Sequence, residues 1–184
     1  MESIRERHLR LMGSLNIGNA CRKLIIKSCI MRLVAASIEI NARPEKILPA
    51  FLRQEHLNVW WGVERSLIDA KAGGVYTLAW NISEQGIKYV STGIIEELIP
   101  GEYLMIKNLV YLSPAKKILG PMELEIDLMA TDDKATKVGV VQSGYRYGDD
   151  WDRYYEAVLT AWPQALEMLK NYLEKTLSIQ RSKM

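Results

Sequence analysis

DDWDRYYEAVLTAWPQALEMLKNYLEK, residues 149–175, carries the longest regular pattern in the chain. Apolar residues recur in it at Trp151, Tyr155, Val158, Trp162, Ala165, Leu166, Leu169, Tyr172 and Leu173. Steps of three and four place them on one helical stripe. Asp152, Arg153, Glu156, Glu167, Lys170, Asn171 and Glu174 occupy the opposite face. Gly148 breaks the preceding pattern, Asp149 is placed to serve as N-cap, and Asp150 and Asp152 sit at the positive end of the helix dipole. At 1.5 Å per residue the helix is about 40 Å long. A stripe so long and so aromatic needs a broad apolar surface to lie on.

Pro163 falls inside that stripe. It removes the hydrogen bond to the carbonyl of Leu159, and its ring crowds the preceding turn. The pattern therefore predicts a kink, or a first segment ending near Ala161 and a second with Pro163 in its first turn. The plainer reading is a bend that matches a curved sheet. The functional reading is a hinge over a pocket.

The surface lies upstream. Val34, Ala36, Ile38 and Ile40 alternate with polar or small residues, a half-buried strand. Pro44 to Leu52 reads as a short helix burying Ile47, Leu48 and Phe51, and Gln54 to Trp61 as a second, with Leu57 and Trp60 inward and Gly62 as its stop. Val63–Ala70 and Val75–Asn81 read as strands joined by a tight turn at Lys71–Gly74, where adjacent glycines accept positive φ. Ile87–Leu98 and Glu102–Tyr111 come next, separated by Pro100-Gly101. A longer connection, Leu112–Gly120, carries Pro114, Lys116 and Lys117. Met122, Leu124, Ile126 and Leu128 then alternate cleanly with Glu123, Glu125, Asp127 and Met129. Asp132-Asp133-Lys134 turns the chain into a last strand, Thr136–Tyr147. The fold class is α+β: a curved antiparallel sheet of about six to seven strands wrapped on a long C-terminal helix, with two short helices after the first strand.

A chain of 184 residues suits one domain, or one domain with an appendage. Residues 1–32 read as a basic leader, 33–176 as the domain and 177–184 as a C-terminal tail. Residues 1–36 hold seven basic and two acidic residues; subtracting these from totals of 24 and 22 leaves 17 basic and 20 acidic, a net charge of −3 for the rest. That body is not a nucleic-acid binder. No run approaches the roughly 18 apolar residues of a transmembrane segment. Cys21 and Cys29 offer neither a disulfide framework nor metal spacing, so reduced thiols and a cytoplasmic location are expected. Three readings of the leader stay open: a basic amphipathic helix touching a membrane or partner, a disordered segment, or upstream codons ahead of a true start at Met31. The patterned domain begins just after Met31, which favours the last two.

ASIEINARPEKI, then Trp60-Trp61-Gly62, then Ala72-Gly73-Gly74-Val75-Tyr76, then GIIEELIPGEYL, in this order, resemble the START-like helix-grip superfamily (SRPBCC). The closing QSGY and DDWDRYYEAVLTAWPQALEMLKNYLE are similar to one branch of it, the proteins like the C-terminal domain of the activator of the heat-shock chaperone ATPase. Ala135-Thr136 stands where that branch usually has Gly-Thr. The resemblance spans about Leu33 to Lys175. It implies a sheet gripping the C-terminal helix, often around an apolar cavity. Members include lipid and hormone carriers, polyketide cyclases and chaperone regulators, so fold alone does not choose a function.

Candidate chemistry is sparse. His8 lies in the leader, and His56 falls on the solvent side of a short helix with no ligand-spaced partner. No nucleophile elbow, phosphate loop or dinucleotide glycine pattern occurs. Glu123, Glu125 and Asp127 alternate with core residues and so face water. Of adjacent Glu96 and Glu97 only one can point inward, where burial would raise its pKa and make it a candidate base. Five tryptophans and nine tyrosines are the main resource. Trp60, Tyr76, Trp80, Leu124, Ile126, Gln142, Tyr145, Trp151, Tyr155 and Trp162 are the cavity candidates, with Gln142 and Tyr145 as polar handles. The plainer reading is that these rings only fill the core. No catalytic residue, metal or cofactor is assigned. The leading expectation is non-catalytic binding of a small hydrophobic or aromatic molecule between sheet and helix. The alternatives are a protein-interaction module like a chaperone activator, working through Lys116-Lys117 and the leader, or a polyketide-cyclase-like enzyme using an inward carboxylate or tyrosine.

Overall fold

The computed structural model describes residues 32–114 and 116–181. The leader, with His8, Cys21 and Cys29, lies outside the described residues. Strand β1 (Arg32–Ile40) leads into helix α1 (Pro44–Ile47), a 3-10 turn (Leu48–Phe51) and helix α2 (Gln54–Trp61). Then come β2 (Arg65–Ile68), β3 (Val75–Ser83), β4 (Gly86–Ile99), β5 (Tyr103–Leu112), β6 (Leu119–Ala130), β7 (Thr136–Tyr145) and helix α3 (Asp149–Arg181). The seven strands form one antiparallel sheet in the order β1-β7-β6-β5-β4-β3-β2. Five of the six pairings join sequence neighbours. The sixth brings β7 back beside β1, so the chain between the two edge strands must cross the sheet, and α1 and α2 occupy that crossing.

The alternation in β6 sets the inner face. Met122, Leu124, Ile126 and Leu128 are all buried, while Glu123, Glu125 and Asp127 look outward. Directly opposite lie Gln142, Val140 and Val138 of β7, and beyond them Val34, Ala36 and Ile38 of β1. Helix α3 closes this face with Val158, Trp162, Ala165, Leu166, Leu169 and Leu173. These elements share one hydrophobic core with Ile47, Phe51, Leu57 and Trp60 from the crossing.

Several boundaries differ from the sequence pattern for identifiable reasons. Arg32 belongs to β1, not to the leader. The strand expected over Val63–Ala70 is four residues long: Val63 is buried core, and the turn already begins at Asp69, whose N–H bonds the carbonyl of Val75 at 3.0 Å. Helix α3 runs on to Arg181, six residues beyond Lys175, for a total of 33 residues. Asp149 is its first helical residue. The cap position falls to Gly148, at φ +120°, whose carbonyl accepts the Asp152 N–H at 2.7 Å. Pro163 does not divide the helix, and α3 runs through it as one continuous element. Pro163 and Leu159 both lie on the exposed face, so the Leu159 carbonyl left without an intrahelical donor faces water.

Two bulges re-aim side chains. In β4, Ile95 pairs with Ile106 and Glu97 with Met105, leaving Glu96 as an extra residue. Glu96 and Glu97 are therefore both exposed, and neither is the inward candidate base that strict alternation allows. In β7, Gly144 adopts φ +88° where the pairing shifts between Leu33 and Arg32. The residue turned inward is then Tyr145. A Cβ at Gly144 would sit 3.0 Å from Met122 Cα and 3.1 Å from the Pro121 carbonyl, so glycine is required by contact as well as by φ.

Candidate functional site

The sheet and α3 do not meet everywhere. A recess of about 110 Å³ remains between them. Tyr76, Leu78 and Trp80 of β3, Ser91 of β4, Leu109 of β5, Leu124 of β6 and Gln142 of β7 form its sheet side. Tyr154, Val158, Ala161, Trp162 and Ala165 of α3 form its roof, and Trp61 of α2 its end. Trp61, Trp80 and Tyr154 are partly exposed, whereas Tyr76, Leu124, Gln142 and Trp162 are buried. The recess thus opens past three rings onto an apolar floor.

Five of the ten expected residues come together here: Tyr76, Trp80, Leu124, Gln142 and Trp162. The other five are elsewhere. Trp60 is core, its ring edge-on to Phe51 at 5.4 Å and its indole N–H donated to the Ala50 carbonyl at 2.8 Å. Ile126 is wholly buried and does not line the recess. Tyr145, Trp151 and Tyr155 form a separate aromatic box beyond it, with Tyr145 edge-on to Trp151 at 6.3 Å and to Tyr155 at 5.1 Å. The Tyr155 hydroxyl donates to the Leu33 carbonyl at 3.4 Å. The Arg32 guanidinium lies over the rings of Tyr147 and Tyr155, 4.3 and 4.7 Å from their centres, and pairs with Asp152. The Gly144 bulge thus brings Tyr145 to this box and not to the recess.

Sequence reasoning missed Trp61 and Tyr154. Trp61 stacks on Trp60 at 4.9 Å and reaches Trp80 at 5.6 Å and Trp162 at 5.3 Å. Adjacent tryptophans point about 100° apart on a helix, so one takes the core and the other the recess. Tyr154 lies one turn before Val158, and with Ala161 it widens the apolar stripe on the side that faces the recess.

The polar atoms of the wall form a directed chain. An indole N–H only donates, so the Trp162 N–H at 2.9 Å identifies the Gln142 atom it meets as the carbonyl oxygen. The Gln142 amide N–H then donates to the Tyr154 oxygen at 3.3 Å and, more weakly, to Met122 Sδ at 3.5 Å. The Tyr76 hydroxyl donates to the Phe51 carbonyl at 3.0 Å, and the Trp80 N–H to the Trp61 carbonyl at 3.3 Å. Among the described residues, no carboxylate or histidine lines the recess. No three of His, Cys, Asp and Glu among them gather as a metal site would need. Glu64 receives the backbone N–H groups of Asn81 and Ile82 at 2.9 and 3.1 Å. His56 is tied to α3, with Nδ1 2.6 Å from the Tyr172 hydroxyl.

Burial acts on the phenols. It pushes Tyr111 up to about 12, with the neighbouring Tyr89 and Tyr154 adding to the shift. It also raises Tyr76, Tyr145 and Tyr154, although the Gln142 hydrogen bond partly offsets this at Tyr154. The folded chain therefore keeps these protons where the unfolded chain releases them, near the ordinary value of 10.0. The contribution of these phenols to stability should be constant below about pH 10 and be lost as the pH rises through 10 toward 12. Phenolate absorbance should appear in two phases, the second coinciding with loss of tertiary structure. Reversible titration of every tyrosine as one ordinary group would contradict the burial of these four.

The family model described as Activator of Hsp90 ATPase homolog 1-like protein matches residues 41–174. No curated protein matches the sequence. The solution structure of the Aha1 dimer from Colwellia psychrerythraea is similar at TM-score 0.58 and 21% identity, covering 78% of this chain and 97% of that one. The solution structure of ChR145 from Cytophaga hutchinsonii reaches TM-score 0.62 at 20% identity, covering 82% and 99%. DynU16, a protein of the dynemicin biosynthetic locus, gives TM-score 0.60 at 14% identity, covering 77% of this chain and 47% of that one. Such identities speak for the fold alone. Among the described residues no helix is long and apolar enough to cross a membrane. A helix-grip sheet and a match over most of the length agree: the chain belongs to the Activator of Hsp90 ATPase homolog 1-like protein family, in the START-like helix-grip superfamily.

Proposed function

We propose that this chain holds a compact apolar or aromatic molecule, without transforming it, in the recess between sheet and α3. The observation that carries the reading is the wall itself: three indoles, of Trp61, Trp80 and Trp162, around an apolar floor with one buried amide, Gln142. Rings with few polar groups suit a flat ligand. Size narrows the class. A dry cavity of about 150 Å³ accepts benzene, while pockets for drug-sized ligands run to about 300–1,000 Å³. At about 110 Å³ and open on one side, this recess suits a single ring or a short branched chain. Among the described residues the wall has no carboxylate, one of the two groups that a cyclase-like reading calls for. The reading includes a cytoplasmic location.

A second reading has its own observation. On the outer face of the sheet Val75 pairs with Ile94, and Leu67 of the edge strand, 68% exposed, pairs with Thr77 two residues further along β3. Exposed apolar side chains grouped in this way suit a protein contact, the role of a chaperone-activator-like module.

Native mass spectrometry with subsequent denaturing extraction tests the first reading. The expected result is a bound compound of low mass that is lost on unfolding. Three wall tryptophans also make fluorescence a direct reporter. An apo mass, together with unchanged fluorescence on titration with single-ring compounds, would overturn ligand binding and leave the outer-face reading.

A further inference from the structure

We infer that the ligand of this recess carries a hydrogen-bond acceptor, a carbonyl or ether oxygen, that receives the Tyr154 hydroxyl proton. This rests on the reading of the recess as a binding site and names the chemistry of its occupant. The directions of the hydrogen bonds lead to it. The Trp162 N–H is donor-only, which fixes the Gln142 carbonyl toward it and the Gln142 amide nitrogen toward Tyr154. An amide nitrogen in turn only donates, so the Tyr154 oxygen is an acceptor in that bond. Its own proton has no partner among the described residues. The other donors of the wall are committed: Tyr76 to the Phe51 carbonyl, Trp80 to the Trp61 carbonyl and Trp162 to Gln142. Ser91 alone adds a hydroxyl that serves in either role.

Tyr154 is also held still. Its ring lies 4.8 Å from that of Tyr111 and 6.0 Å from that of Tyr145. A fixed ring fixes its hydroxyl. Burial keeps that hydroxyl protonated at neutral pH, so it is a donor throughout the ordinary range. Donation from Gln142 polarises the Tyr154 O–H and strengthens the bond it can give. A donor so placed at the edge of an apolar recess selects a flat molecule with one acceptor over its hydrocarbon isostere.

Acetophenone and ethylbenzene form the test pair, since the second is the first with its carbonyl oxygen replaced by two hydrogens. Each is titrated by tryptophan fluorescence into the full chain and into Tyr154→Phe, which keeps the ring and removes only the hydroxyl. Comparing the change in each Kd between the two proteins cancels the different water solubilities of the ligands. Tyr154→Phe should weaken acetophenone about fivefold, the size of one neutral hydrogen bond, and leave ethylbenzene within about twofold. In the unaltered protein the carbonyl stretch of bound acetophenone should lie below its value in an alkane, a readout that does not depend on the variant folding. Equal changes for both ligands, or an unshifted carbonyl stretch, would overturn the inference while leaving the recess a binding site. Failure of both ligands to bind the unaltered protein would overturn the binding reading and this inference with it.

Discussion

Trp162→Ala should cost roughly 3–5 kcal/mol in urea unfolding, the range for deleting a large ring from a core that relaxes only in part. The ring is 5% exposed and sits where helix, sheet and crossing meet. It packs on Trp61 at 5.3 Å and on the sheet side through Gln142, to which its N–H donates at 2.9 Å. Its loss removes apolar contacts and also leaves the Gln142 carbonyl, on a residue 3% exposed, without its donor. An unmet buried acceptor adds about 1–3 kcal/mol unless water reaches it. The neighbouring recess gives water a route, which keeps the total within the range stated. For a domain of this size the melting temperature should fall by roughly 10 °C. A loss below about 1 kcal/mol would mean that α3 does not grip the sheet through this ring.

Gly74→Ala is the second large effect, and its cause is invisible in sequence. A methyl at Gly74 would sit 1.9 Å from the Asp69 carbonyl oxygen and 2.9 Å from that of Lys71. The turn that joins β2 to β3 cannot give way locally, because it is pinned to β4. Gly73 N–H bonds the Ile95 carbonyl at 2.8 Å, and Ile95 N–H bonds the Gly74 carbonyl at 2.8 Å. Making room breaks these bonds and lifts the edge strand, so a loss of about 3 kcal/mol is expected, at the upper end for overpacking. Gly73→Ala is the control. Gly73 has φ +79°, but nothing lies within 4 Å of its added Cβ. It should lose only about 1–2 kcal/mol, from the left-handed conformation alone. If the two variants lose the same amount, or Gly73→Ala loses more, the close approach of Asp69 to Gly74 is wrong. Amide exchange at Asp69, Val75 and Ile95 should accelerate in Gly74→Ala and not in Gly73→Ala.

Both effects bear on how far a sequence can be read. The tight turn at Lys71–Gly74 is legible, and so is positive φ for a glycine in it. Which glycine needs which property is not, because the reason at Gly74 is the Asp69 carbonyl across the turn. Glu96 and Glu97 make the same point. Strict alternation sends one of two neighbours inward, but one extra residue in β4 leaves both in water, and that residue is set by pairing with β5. Tyr145 reads as a polar handle because β7 runs beside α3, which is correct. The Gly144 bulge then carries its ring past the recess into the box of Trp151 and Tyr155.

Periodicity and local stereochemistry are properties of short windows, and they carry far in this chain. The three-and-four spacing from Trp151 to Leu173 produced α3, the alternation from Met122 to Leu128 produced the inner face of β6, and Gly62, at φ +67°, ended α2 where a left-handed residue was needed. The order of these elements produced the antiparallel sheet and its long helix. Which rings meet is settled at another level, by packing across the whole domain. Trp61 rather than Trp60, and Tyr154 rather than Tyr155, face the recess, because that choice depends on how α2 and α3 are rotated against the sheet. Rotation of a helix is set by the summed packing of its whole stripe on residues distant in the chain, and no local window contains them. The direction of the Gln142 amide, and with it the free proton of Tyr154, is decided in the same way, by the Trp162 indole on a different element.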